Sequence, residues 1–175
     1  MELTKRTISL IAATLLLAAL SACSYSFSGA SVPKHLRTIA IPLFKDNSGS
    51  AEPNLNSTFT YATVQKFIDD ANLQVSDSRN TDAILECTIT RFSDNPQSIS
   101  NNETGQEGIS VRRVTITVKA VYRDLVERKT VFTKDFSNYG EYQNAGDITT
   151  KRKEAIKEAI DKISEDILLK VVADW

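Results

Sequence analysis

Val111-Arg112-Arg113-Val114-Thr115-Ile116-Thr117-Val118-Lys119-Ala120-Val121-Tyr122-Arg123-Asp124 is the stretch from which the fold can be read. Val114, Ile116, Val118, Ala120 and Tyr122 alternate with Arg113, Thr115, Thr117 and Lys119. A period of two puts the first set on one face of a strand and the second on the other. One face is apolar and one polar, as in an antiparallel sheet covered on one side only.

The neighbouring segments extend this pattern. Leu125 to Lys129 turns the chain, and Thr130 to Tyr139 returns as a hairpin partner with Phe132 and Phe136 on one face. Upstream, Ala83 to Ser93 is a strand: Ala83, Leu85, Cys87 and Ile89 point one way, Glu86, Thr88 and Thr90 the other. Residues 94–110 are polar and contain Pro96, Asn101, Asn102, Gly105 and Gly108. They read as a long, mobile connection.

Leu36 to Phe44 alternates as a further strand, with Pro42 confined to an edge or a strand end because it donates no ladder hydrogen bond. Lys45 to Pro53 is rich in turn residues. Asn54 to Ala71 reads as a helix with Phe59, Val64, Phe67, Ile68 and Ala71 on its apolar stripe and Asn54 or Asn56 as N-cap. Leu73 to Ser76 fits a short strand. Thr149 to Ala173 is a long helix in which Ile156, Ala159, Ile160, Ile163, Ile167 and Val171 recur at spacings of three and four. Two amphipathic helices suffice to cover one sheet face. The expected fold is α/β in the α+β sense: a two-layer sandwich, with a mixed, mostly antiparallel sheet of four to five strands and both helices on one face.

The N-terminus carries a different signal. Lys5 and Arg6 precede an apolar run from Ile8 to Leu20, which closes on Leu20-Ser21-Ala22-Cys23. This order of cations, apolar run and small residues is that of an export signal. The run is shorter than the roughly 20 apolar residues that a membrane-spanning helix requires. The tetrapeptide Leu20, Ser21, Ala22, Cys23 resembles the bacterial lipobox. That resemblance makes residues 1–22 the signal peptide and Cys23 the lipidated residue; residues 23–35, small and polar with Gly29 and Pro33, read as a tether, and the length of 36–175 as a single domain. Several acyl chains on one cysteine anchor firmly, because each buried methylene contributes about 0.8 kcal/mol. Ser24, rather than Asp, follows the cysteine, which by analogy implies sorting to the outer membrane.

Composition narrows the function classes. The chain has 21 basic and 22 acidic residues, a net charge of −1, and so gives no electrostatic reason to expect nucleic-acid binding. Cys87 is the one cysteine besides Cys23 and sits in an alternating apolar pattern, where it reads as a small core residue. The single histidine, His35, has no carboxylate or thiol cluster near it in sequence, so no metal site is expected. No phosphate loop, nucleophile elbow or metal motif is present, no cofactor is implied, and an enzyme is not expected. Asn102-Glu103-Thr104 matches a glycosylation triplet without meaning in a bacterial lipoprotein. Arg112 and Arg113, adjacent at the start of the decisive strand, are candidates for contact with lipid phosphates or a partner, against the simpler reading of solvated charge. Lys151, Arg152 and Lys153 open the last helix, where cations oppose the helix dipole.

Several stretches together resemble one family: Cys23 to Ser31, Arg37 to Phe44, Ala83 to Thr90, Arg113 to Ala120 and the ending Val171 to Trp175. In this order, behind a lipobox, they resemble the LptE lipoproteins of lipopolysaccharide assembly in their Bacteroidetes and Chlorobi form. The resemblance implies a non-enzymatic partner of an LptD-like β-barrel in the outer membrane, acting on lipopolysaccharide and held to the membrane by its N-terminal lipid. An alternative rests on Thr38 to Gly49, which is also similar to the first strand and loop of periplasmic lipoproteins that serve secretion pores or activate peptidoglycan synthases.

Overall fold

The structure, a computed structural model, describes residues 32–70, 73–76, 80–101 and 107–173. Leu20, Ser21, Ala22 and Cys23 lie outside the described residues, as do most of the expected tether and Trp175. The elements in chain order are β1 (Thr38–Ala40), β2 (Lys45–Asp46), α1 (Leu55–Asp70), β3 (Gln74–Val75), β4 (Ala83–Asn101), β5 (Glu107–Asp124), β6 (Lys129–Gln143) and α2 (Ile148–Ala173). They form a six-stranded mixed sheet in the order β3-β1-β4-β5-β6, with β2 also paired to β4. The expected α+β sandwich is present, with one strand more than foreseen.

Strands β4, β5 and β6 form an antiparallel meander, and β1, β2 and β3 add to it by parallel pairing. The strand expected over Leu36–Phe44 is shorter, Thr38–Ala40, and β2 forms at Lys45–Asp46 within the stretch expected as a turn-rich loop. Ile39 pairs with Ala83, and Lys45 pairs with Thr88 further along the same strand. Pro42 lies in the break, and the Phe44 amide leaves the ladder to donate to Thr60 Oγ1 at 2.9 Å. Asp82 fastens the start of β1: its Oδ2 accepts from the amides of Arg37 (2.9 Å) and Thr38 (3.0 Å) and from the Thr38 hydroxyl (3.0 Å). The Arg37 amide is the largest influence holding the Asp82 carboxyl below its usual range, with Thr38 adding to it against a burial penalty.

The connection expected over residues 94–110 is instead strand for most of its length. β4 runs on to Asn101, and β5 begins at Glu107. A ladder needs only paired backbone groups, and exposed Asn95, Pro96 and Gln97 have no apolar alternation to announce it. A bulge between Ile89 and Arg91 shifts the phase of β4. Before it the odd residues face the core; after it Phe92 and Asp94 do, opposite Ile116 and Val114.

Both helices lie on that face. On α2, Ile156, Ala159, Ile160, Ile163, Ile167 and Val171 are all buried, as their spacing predicts. On α1 the buried residues are Leu55, Phe59, Thr63 and Phe67, each four apart, whereas Ile68 is 57% exposed. The stripe thus differs from the expected one, because Thr63 is a core residue. Its Oγ1 lies 3.0 Å from Ser164 Oγ, so two buried hydroxyls satisfy each other where α1 crosses α2. Asn54 precedes α1 with φ of 58°, a left-handed conformation that Asn tolerates, and its carbonyl accepts the Thr58 amide at 2.9 Å. Gly140 marks the closest approach of α2 to the sheet: a Cβ there would lie 2.1 Å from the Ala155 carbonyl oxygen.

Candidate interaction surface

Alternation on β5 sends Arg112 and Arg113 to opposite faces, so the two do not form one anion clamp. Arg112 points to the helix side. Its Nε donates to Asp94 Oδ1 and to the Tyr142 hydroxyl, both at 2.9 Å, and its Nη2 donates to the Asp94 carbonyl at 2.8 Å. The Tyr142 hydroxyl donates to Asp94 Oδ2 at 2.9 Å. Arg152, from the first turns of α2, donates to the same Oδ2 at 2.9 Å and to Glu52 Oε2 at 2.6 Å. One carboxylate therefore gathers β4, β5, β6 and α2, and Glu52 brings in the segment before α1. Burial works against the charge on Asp94, but Tyr142, Arg152 and Arg112 hold its carboxyl below the usual range.

This network explains one of the cations at the start of α2. The helix begins at Ile148, and Asp147 accepts the Thr150 amide at 3.1 Å as its cap. Arg152 turns inward to Asp94 and Glu52, while Lys151 bonds the Ala145 carbonyl at 2.8 Å. The unfavourable dipole contact is offset by close acidic partners.

Arg113 lies on the other, uncovered face of the sheet. Among the described residues, neither helix packs there. The face carries Glu86, Thr88, Thr115, Thr117, Lys119 and Arg123, and Thr90 sits at the bulge with its hydroxyl on the Thr117 carbonyl at 3.2 Å. Thr117 Oγ1 meets Ser137 Oγ at 3.1 Å across the β5–β6 pair. Two ion pairs cross the strands, Arg113 with Glu141 and Arg123 with Glu86, both at 2.5 Å. The Arg113 guanidinium also stands 4.0 Å from the centroid of the Tyr139 ring, itself 41% exposed. The surface is polar, of short side chains, with Arg113 and Tyr139 as its large feature.

The helix layer offers a second surface. Two adjoining depressions, of about 350 and 330 Å³, run along the α1–α2 seam and share Thr58, Lys157 and Ile160. Ile156, Ile160 and Ala62 supply an apolar floor, the rim is of mixed charge with Lys66, Lys153 and Lys157 against Glu52, Asp69 and Asp161, and Tyr61 stands beside it 69% exposed. No spacing in the sequence announced this seam, because its lining comes from two helices far apart in the chain. Cys87 is buried, and burial pushes its thiol well above the usual range, so it is a core residue as its pattern predicts. No helix among the described residues is long and apolar enough to cross a membrane.

No curated protein matches the chain significantly in sequence. Solved structures resemble it in fold. Protein XCC0632 of Xanthomonas campestris is 14% identical, with a TM-score of 0.60 over 82% of this chain and 86% of that one. Lipoprotein B of Nitrosomonas europaea is 13% identical, with a TM-score of 0.55 over 82% and 85%. The PelC dodecamer of Paraburkholderia phytofirmans is 10% identical, with a TM-score of 0.50 over 83% and 96%. At such identities the likeness establishes the fold alone. Sequence carries the kinship: the LptE model, described as lipopolysaccharide-assembly, matches residues 36–171, nearly the whole of the described domain, and the chain belongs to that family.

Proposed function

We propose that the chain is an outer-membrane lipoprotein, anchored through Cys23, that binds an LptD-like β-barrel and aids lipopolysaccharide assembly without catalysis. The family match over residues 36–171 carries this reading. The lipobox Leu20-Ser21-Ala22-Cys23 supports the anchor. The uncovered sheet face supports the partner: short polar side chains suit contact with a polar barrel interior, where large apolar groups would be left wet. Of the two arginines, Arg113 is the contact residue, whereas Arg112 acts from behind by fixing the sheet end through Asp94.

The test is to purify the protein from its native outer membrane with the anchor intact and identify what accompanies it. A stoichiometric large β-barrel is expected, and Cys23→Ser should abolish both acylation and membrane retention. Recovery with a secretion pore or a wall synthase, and no such barrel, would overturn the reading. One rival is a module that assembles with copies of itself, as the similarly folded PelC does in its dodecamer. A native mass of one copy per barrel separates the two.

A further inference from the structure

The fold brings the chain's single histidine to two carboxylates that are far from it in sequence. His35 precedes β1, Asp124 ends β5, and Glu127 lies in the β5–β6 turn. His35 Nε2 is 2.7 Å from Asp124 Oδ2 and 3.9 Å from Glu127 Oε1. One donor atom from each residue falls within 4.8 Å of the others. We propose that His35, Asp124 and Glu127 bind a first-row divalent ion of the zinc type.

Each group is placed for this role. The Asp124 side chain is fully buried, and its Oδ1 accepts the Glu127 amide at 2.8 Å, so one oxygen is fixed and Oδ2 is aimed at His35. Burial opposes its charge, but the His35 imidazole and the Glu127 and Val126 amides hold the carboxyl below its usual range, so it is an anionic ligand at neutral pH. Lys129 holds Glu127 Oε2 at 2.5 Å and leaves Oε1 toward the histidine. Ligands about 2.0 Å from a tetrahedral ion stand about 3.3 Å apart. The two separations from the imidazole nitrogen, 2.7 and 3.9 Å, straddle that value. The histidine is one-third exposed and Glu127 nearly half, so both can adjust around the buried aspartate. In the bound form the ion takes the Nε2 lone pair, so the neutral imidazole carries its one proton on Nδ1, and the direct Nε2 contact with Asp124 is replaced by a shared ion. Three protein ligands leave a fourth position for water. One nitrogen and two oxygens favour zinc or manganese over calcium or magnesium, which take oxygen sets. The ion would tie the start of the domain to the β5–β6 turn, and this inference is independent of the partner proposed above.

Zinc chloride, manganese chloride and calcium chloride are titrated into the full chain, purified in detergent without a polyhistidine tag, and followed by calorimetry and thermal melting. One saturable zinc site per chain and a zinc-dependent rise in melting temperature are expected, with calcium far weaker. His35→Ala removes both effects but also removes a hydrogen bond of the apo protein. Glu127→Gln is the decisive variant, because its carboxylate makes no hydrogen bond to His35 and its ion pair with Lys129 is exposed: the apo melting temperature should change little while zinc affinity falls about tenfold or more. No saturable zinc binding, or equal affinity in Glu127→Gln, overturns the proposal.

Discussion

Gly140→Ala tests the packing of the two layers. Gly140 sits inside β6, paired with Val114, and its φ is not positive, so alanine meets no backbone strain there. In a strand interior the change should by itself stabilise by about 0.5–1 kcal/mol, through a less flexible unfolded chain. The contact with α2 reverses the sign. The new Cβ would lie 2.1 Å from the Ala155 oxygen, 2.7 Å from its carbonyl carbon and 2.8 Å from its Cα. All three are backbone atoms, so no rotamer can give way. The overlap with the oxygen is about 1.2 Å, judged against an ordinary contact near 3.3 Å. Relief requires α2 to lift from β6 by about that distance, which loosens Ala155, Ala159 and Ile163 at once. Overpacking of this kind costs about 3 kcal/mol, at the upper end of the usual range. Set against the gain in the unfolded chain, the net loss is about 2 kcal/mol, and with a urea dependence of about 2 kcal/mol/M the midpoint falls by about 1 M with an unchanged slope. A midpoint equal to or above that of the parent would refute the described closeness of α2 and β6.

Other outcomes follow from the charged groups. Asp82, Asp94 and Asp124 have carboxyls held below their usual range, so each contributes stability above its unfolded value of 3.8 and loses it as pH falls through its lower folded value. Urea midpoints should therefore drop on acidification below about pH 4, and Asp94→Asn should make that dependence shallower. At pH 7, Asp94→Asn should cost about 2 kcal/mol, because it leaves Arg112 and Arg152 half-buried without their shared anion. Arg113→Ala should cost under about 1 kcal/mol, as an exposed pair does, and, under the function proposed above, reduce co-purification of a barrel; Arg112→Ala should show the larger loss of stability. The Cys87 thiol should resist alkylation in the native protein and react only on unfolding, as counted by mass spectrometry.

The two helices and the three-strand meander were legible because each has one face in the core and so shows its period in the sequence. Legibility failed where burial is not what specifies the structure. Asn95 and Pro96 are strand by pairing with Arg113 and Arg112 alone. The bulge at Thr90 swaps the faces of the residues from Arg91 to Pro96, and a run of Arg91, Phe92, Ser93 and Asp94 gives no hint of the swap. Thr63 was missed on the α1 stripe because its hydroxyl is satisfied by Ser164, a residue on another helix. Arg112 and Arg113 looked like a pair because they are neighbours in sequence; in a strand, neighbours diverge. The His35 cluster and the α1–α2 seam are assembled from segments the sequence separates widely, and only the topology joins them.

The uneven seam between β1 and the meander bears on how the chain yields to a pull. β1 meets β4 only at Ile39 with Ala83 and Ala40 with Ile84, and β3 adds two residues beyond it, whereas β4, β5 and β6 are zipped along most of their length. Loop closure over the whole of α1 precedes that small gain, so β1 docks late and opens early in a folding trajectory. Amide protons of β1 and β3 belong to the lowest-energy opening, and those of central β5 to global unfolding. Were the chain held at its N-terminus by the lipid proposed on Cys23, tension would arrive first at this weak seam. The chain can give there, lengthening its reach from the bilayer, while the meander and α2 stay folded.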